Sequence, residues 1–176
     1  MKVLLINGCT MTHTFGQQIN LKLYDRIKEK DNAYVLSTLN DLSLNPCVSC
    51  DSCQTKNPGV CAINDDLNKL LRDYLTSDLV IIVTPIVFGT CNALTKAFLD
   101  RTQPLYMPYQ KLSSNVMSPR YDKYPDIKFI GLADKASTQD IDTFKNTFLN
   151  CTLALQSKHR DVHIIQTLAD LQSIHF

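Results

Sequence analysis

Four of the chain's seven cysteines fall within one short stretch, CVSCDSCQTKNPGVC, which supplies Cys47, Cys50, Cys53 and Cys61. Thiolates at this density make either a soft-metal site or a redox device, because sulfur is a strong soft ligand and an easily oxidised atom. An odd total of seven fits a pure disulfide framework poorly. His159, His163 and His175 show no metal-ligand spacing with one another, and no side chain stands out as catalytic. Cys91 and Cys151 sit in helical patterns and read as small packed side chains. Cys9 precedes a helix, where the N-terminal field would lower its thiol pKa and make it reactive.

The elements that must hold these groups alternate in type. Strand patterns cover Val3–Ile6, Ala33–Leu36, Leu79–Val83, Phe129–Ala133 and Val162–Ile165. Between them, Ile19, Leu23 and Ile27 recur at helical spacing, as do Leu67, Leu70, Leu71, Tyr74 and Leu75. Ala93, Leu94, Ala97 and Phe98 mark a further helix, and one long helix is predicted through Ile141, Phe144, Phe148, Cys151 and Leu155. Such alternation implies an α/β doubly wound sheet of five parallel strands with helices on both faces, in a single domain over residues 1–176. A cysteine-rich loop occupies 46–64, and a tyrosine/proline-rich insertion occupies 104–126 as the only long irregular piece. With strand order 2-1-3-4-5, the loops after strands 1 and 3 flank the switch point where ligands bind. The cysteine segment, following strand 2, would then sit beside that cleft.

Composition narrows the function. A formal charge of +1 argues against nucleic acid or a membrane surface as partner. No apolar run approaches the ~18 residues of a membrane span, and Val3–Ile6 is too short for a signal segment. The expected location is cytoplasmic, where clustered cysteines bind metals or do chemistry rather than form disulfides.

The loop after strand 1, GCTMTHTFG, carries neither a dinucleotide fingerprint nor a P-loop lysine. Its Thr10, Thr12 and Thr14 precede a helix and suit either a phosphate or ordinary capping. The next loop opens TPIVFGT: Pro85 is expected to end its strand, Phe88 to line a flat pocket and Gly89 to let backbone approach a ligand. Asp65-Asp66 reads as an N-cap of the following helix, and Arg101 as a salt-bridging residue.

The runs KVLLINGC, NPCVSCDSCQTKNPGVCAINDDLNKLL, SDLVIIVTPIVFGTCNALTKAFLDR and PRYDKYP together resemble the flavodoxin-like NAD(P)H-dependent FMN reductase family, in particular its iron-sulfur flavoprotein branch. The resemblance implies FMN. Its phosphate would rest on Cys9, Thr10, His13 and Thr14, and its ring against Pro85, Ile86, Val87, Phe88 and Gly89. The loop near Asp134 and Lys135 would close the third side. Against the family pattern, Cys9, Thr10 and Met11 replace a serine, a proline and a basic residue, and Val87 replaces a tyrosine. The resemblance also implies NAD(P)H or a protein as donor, a small-molecule or protein redox partner, and a homodimer or homotetramer in which the tyrosine-rich segment is an oligomer arm.

The spacing C-x2-C-x2-C-x7-C matches the opening of bacterial iron-sulfur ligation in its first three members. Asn57-Pro58-Gly59 forms a turn able to return Cys61 to them. Cys47, Cys50, Cys53 and Cys61 are therefore candidate ligands of a [4Fe–4S] cluster, with zinc, a disulfide or free thiols as alternatives. The reading is an FMN-dependent oxidoreductase or electron-transfer flavoprotein. The rivals are a flavodoxin-like binding or structural protein that has lost FMN, and a zinc-stabilised domain.

Overall fold

The computed structural model describes residues 1–110 and 116–175. In chain order the elements are β1 (Lys2–Asn7), α1 (Thr14–Glu29), β2 (Ala33–Thr38), α2 (Leu67–Leu75), β3 (Leu79–Val87), β4 (Thr90–Cys91), α3 (Ala93–Asp100), β5 (Tyr106–Gln110), β6 (Met117–Pro119), β7 (Asp126–Leu132), α4 (Thr138–Leu149), α5 (Thr152–Gln156) and β8 (Arg160–Ile165). The main sheet runs β2-β1-β3-β7-β8, all parallel, and β4 hairpins back on β3. The expected order 2-1-3-4-5 is thus the observed one, with the switch point between β1 and β3.

Strand alternation sorts the core into two layers. Val3 and Leu5 of β1 join Ile19, Leu23 and Ile27 of α1, together with Leu171 and Ile174 of the C-terminal segment. Leu4 and Ile6 turn to the opposite face, where α2, α3 and α4 deliver Leu70, Tyr74, Phe98, Phe144 and Phe148. Each such aliphatic or aromatic burial contributes about 1.5–3 kcal/mol. The rings of Phe144 and Phe148 stack at 4.2 Å, and Phe129 meets Phe148 at 4.8 Å.

Three sequence expectations change in the structure. Pro85 does not end its strand: β3 continues to Val87, with Pro85 paired to Leu132. The β1 neighbour has already ended opposite Val83, so the missing N–H breaks no ladder on that side. The long C-terminal helix is two helices, because Cys151 is extended (φ −68, ψ 151) between α4 and α5. On one continuous helix of ~3.6 residues per turn, Leu153 and Ala154 would face away from Phe148; the break returns both to its core. The insertion is not wholly irregular, since β5 and β6 form a small antiparallel sheet. The segment after β8 coils as a 3-10 turn (Leu168–Ser173) held by Arg26, whose guanidinium donates to the carbonyls of Leu171 and Ile174 at 2.5 and 2.7 Å.

Candidate functional site

Two groups of residues carry the candidate chemistry, one on the loops at the carboxyl end of the sheet and one on the cysteine segment. The first is the loop after β1. Asn7 is buried, and its Oδ1 accepts from the Cys9 N–H (2.9 Å) and from Asn20 Nδ2 (3.0 Å), which shapes the turn into α1. Gly8 donates to Val83 O (2.8 Å), and its carbonyl accepts from Asn92 Nδ2 (2.6 Å). A Cβ at Gly8 would lie 2.1 Å from Thr95 Oγ1, so only glycine lets α3 come this close. Thr95 Oγ1 donates to Thr84 Oγ1 (3.0 Å), and Asn92 caps α3 by accepting from the Thr95 N–H. This buried polar network fixes the first two loops against each other. Of its members, only the capping asparagine carried a sequence signal, its place just before an apolar helix.

Thr10 and Thr14 are exposed at the mouth of this loop, and His13 is half-buried. His13 Nδ1 accepts from the Gly16 N–H at 3.0 Å, which leaves its ring proton on Nε2, 3.6 Å from Asp134 Oδ1. The loops after β1 and β7 are thereby brought together. Cys9 turns inward, fully buried beside Ile19 and Leu23. Burial pushes its thiol up to about 12, partly opposed by Asn20, so the expected low-pKa reactive thiol is corrected to an inert packed one. Pro85 and Ile86 are also buried within β3, whereas Val87 and Phe88 are exposed at its tip. Phe88 and Gly89 form the two-residue turn into β4, both with positive φ (48° and 74°), and Phe88 is 94% exposed. An aromatic side chain held in a left-handed turn and left in solvent is a strained feature of the kind found at binding sites.

The second group is the cysteine loop. Cys47, Cys50, Cys53 and Cys61 all line one cavity of about 410 Å³, with Arg101, Gln54 and Pro104 on its walls. Ser49 and Asp51 take φ of 50° and 52° between successive cysteines, and Gly59 takes 85° ahead of the last. These left-handed residues bend the chain sharply between cysteines, so that all four come round to the same cavity. Among the described residues, no three His, Cys, Asp or Glu side chains close on one point as a single metal ion would require. Burial, then the neighbouring Cys61, raises the Cys53 thiol above its usual range.

Tertiary partners hold this loop. Asn68 of α2 clamps Cys61, accepting from its N–H and donating to its carbonyl, both at 3.2 Å. Arg120 donates to Gln54 Oε1 (2.7 Å) and to the carbonyls of Pro104 (2.9 Å) and Tyr106 (2.7 Å), tying β5 and β6 to the cysteine segment. Arg101, capping α3 and only 2% exposed, donates to Asp65 Oδ2 at 2.5 Å, to Asn45 O at 2.9 Å and to Cys61 Sγ at 3.1 Å. The expected salt bridge of Arg101 is therefore present and buried. Asp65 is its partner rather than simply a helix cap, although Oδ1 also accepts from the Leu67 N–H. Burial works to raise the Asp65 carboxyl, but Arg101 and the Asn45 and Leu67 amides outweigh it and bring the value to about 2. Asp66 accepts from the Ser43 N–H and makes no capping bond.

The family described as NADPH-dependent FMN reductase matches residues 1–118. An iron-sulfur flavoprotein of Methanocaldococcus jannaschii is 31% identical over 110 residues, 62% of this chain and 56% of its own. Another, from Archaeoglobus fulgidus, is 27% identical over 119 residues, 68% of this chain and 57% of its own. The matched stretch thus spans a little over half the length of either relative. The NAD(P)H:quinone oxidoreductase of Methanothermobacter marburgensis shares the fold, with a TM-score of 0.70 at 12% identity over 93% of this chain and 85% of its own.

Proposed function

The chain belongs to the NADPH-dependent FMN reductase family, and from that premise we propose an FMN-dependent oxidoreductase that also carries a [4Fe–4S] cluster on Cys47, Cys50, Cys53 and Cys61. The observation that carries the reading is the single cavity onto which all four thiols open. The residues present suit both groups. The exposed Thr10 and Thr14 stand at the loop after β1, and the four cysteines, on a loop left-handed at Ser49, Asp51 and Gly59, present their thiols to one cavity.

FMN, when bound, supplies hydride and one-electron chemistry that the protein's side chains cannot. This chain's part is positional. Thr10, His13 and Thr14 offer the phosphate end of the site, on a turn braced by the Cys9 N–H donating to Asn7 Oδ1. The exposed Val87 and Phe88, with Pro85, Ile86 and Gly89 behind them, offer the ring end, and Asp134 the third side. NAD(P)H or a protein is the proposed donor and a small molecule or protein the acceptor. We take residues 1–176 as one domain acting as a homodimer or homotetramer in the cytoplasm. Among the described residues, no helix is long and apolar enough to cross a membrane.

A second reading, a member that no longer retains FMN, is favoured by one feature. Asp134 brings a carboxylate to His13 at 3.6 Å, next to the phosphate position, where it would repel the anion.

The visible spectrum of anaerobically purified protein, with iron, zinc and acid-labile sulfide assayed on the same sample, separates these readings. Flavin bands with a broad brown shoulder and about four irons per chain are expected. Flavin without iron would overturn the cluster assignment. A colourless protein that refuses added FMN would overturn the enzyme reading.

A further inference from the structure

We propose that Arg101 is a positioning residue for electron transfer, setting the reduction potential of the cysteine-loop centre through Cys61, with Asp65 as the counter-charge that moderates it. The inference rests on the cluster reading above and goes beyond it, since ligation by four thiols does not require a buried cation.

The geometry is specific. The Arg101 guanidinium is enclosed, with its side chain 1% and that of Asp65 3% exposed. One terminal nitrogen, Nη1, is saturated by Asp65 Oδ2 and Asn45 O. The other, Nη2, is aimed at Cys61 Sγ at 3.1 Å, with Ile63 O at 3.5 Å as its other contact. The Nε–H is buried with no partner among the described residues. A guanidinium is always charged, and burying one is costly unless it is paired. A residue needed only to staple the loop to α3 would spend both nitrogens on backbone and carboxylate oxygens. Here one of them faces the sulfur instead.

The consequence follows from charge. Adding one electron from a reductant to a thiolate-bound cluster adds one negative charge, spread partly onto the sulfurs. A fixed cation with an N–H directed at one sulfur stabilises the reduced form more than the oxidised form, and hydrogen bonds to sulfur and net charge are established controls of potential. Asp65, on the same guanidinium, works in the opposite sense.

The test is a redox titration of full-length protein, reconstituted with iron and sulfide and reduced stepwise with dithionite, followed by its visible and paramagnetic spectra. Arg101→Gln removes the cation and is expected to shift the potential more negative. Asp65→Asn removes the counter-charge and is expected to shift it more positive. Arg101→Lys, which keeps the charge, should stay nearer wild type than Arg101→Gln. Loosening of the loop alone would not produce opposite signs from the two partners of one ion pair. Unchanged potentials at full iron content, or shifts of the same sign in both variants, overturn the proposal. Should Arg101→Gln fail to fold, Asp65→Asn decides by the sign of its shift. A wild-type protein that takes up no iron and sulfide overturns the cluster reading itself, whereas a loaded wild type with insensitive variants overturns only the role of Arg101.

Discussion

At the residue scale, the site depends on contacts too close to admit variation. Gly8 is the clearest case, because an added methyl would meet Thr95 Oγ1 at 2.1 Å and Val83 O at 2.9 Å. The second of these is backbone and cannot rotate away. Gly8→Ala is therefore expected to push the loop off α3, lowering stability by about 1–3 kcal/mol and abolishing flavin retention. Thermal melting and the flavin absorbance of the purified variant check both effects. The same loop shows how a helix N-terminus need not activate a thiol. Cys9 is at such an end, yet burial raises it to about 12, because the apolar surroundings, helped by the Asp134 charge, disfavour the thiolate more than the Asn20 contact favours it.

At the element scale, the hairpin joining β3 to β4 carries the exposed Phe88 at the end of the sheet where the flavin is proposed to sit. Both turn residues have positive φ, which gives the turn type that matches the twist of paired strands. Gly89 also abuts α4, where an added Cβ would lie 2.9 Å from Thr143 Cβ. Gly89→Ala is expected to cost about 1–2 kcal/mol for the left-handed backbone alone, and more if Thr143 cannot move. The chemical denaturation midpoint measures it. Because the hairpin tip would touch the flavin, FMN affinity should fall further in this variant than in one with equal destabilisation placed in β8.

At the scale of the whole molecule, the buried Arg101–Asp65 pair fastens the cysteine segment to α3 and makes stability depend on pH. The folded Asp65 value of about 2 lies below its ordinary 3.8. The unfolded chain therefore takes up the proton first as pH falls. The pair's contribution is present above about 3.8 and is lost as pH drops through about 2. Urea midpoints measured from pH 6 down to about pH 2 should fall more steeply for wild type than for Asp65→Asn. Asp65→Ala, which strands a buried guanidinium, should cost roughly 3–5 kcal/mol at neutral pH. Equal acid slopes in wild type and Asp65→Asn would place the acid sensitivity elsewhere.

The sequence by itself determined the five parallel strands and the helices that cover them, and the strand order came with the family resemblance. The strands and helices follow from local pattern: continuous apolar runs for strands buried on both faces, and repeats of three and four residues for the covering helices. The bunching of Cys47, Cys50, Cys53 and Cys61 was equally plain, since residues on one loop lie close in sequence. Only the tertiary structure decided that Cys9 faces the core, that Phe88 stands clear of it, and that the last helix breaks at Cys151. It alone decided that Arg101 reaches Asp65 and Cys61 across 36 and 40 residues. Local periodicity records which face of an element is buried. It carries no record of which distant polar group fills the space opposite, because that choice is made by packing whole elements together and by the cost of leaving a buried charge without a partner.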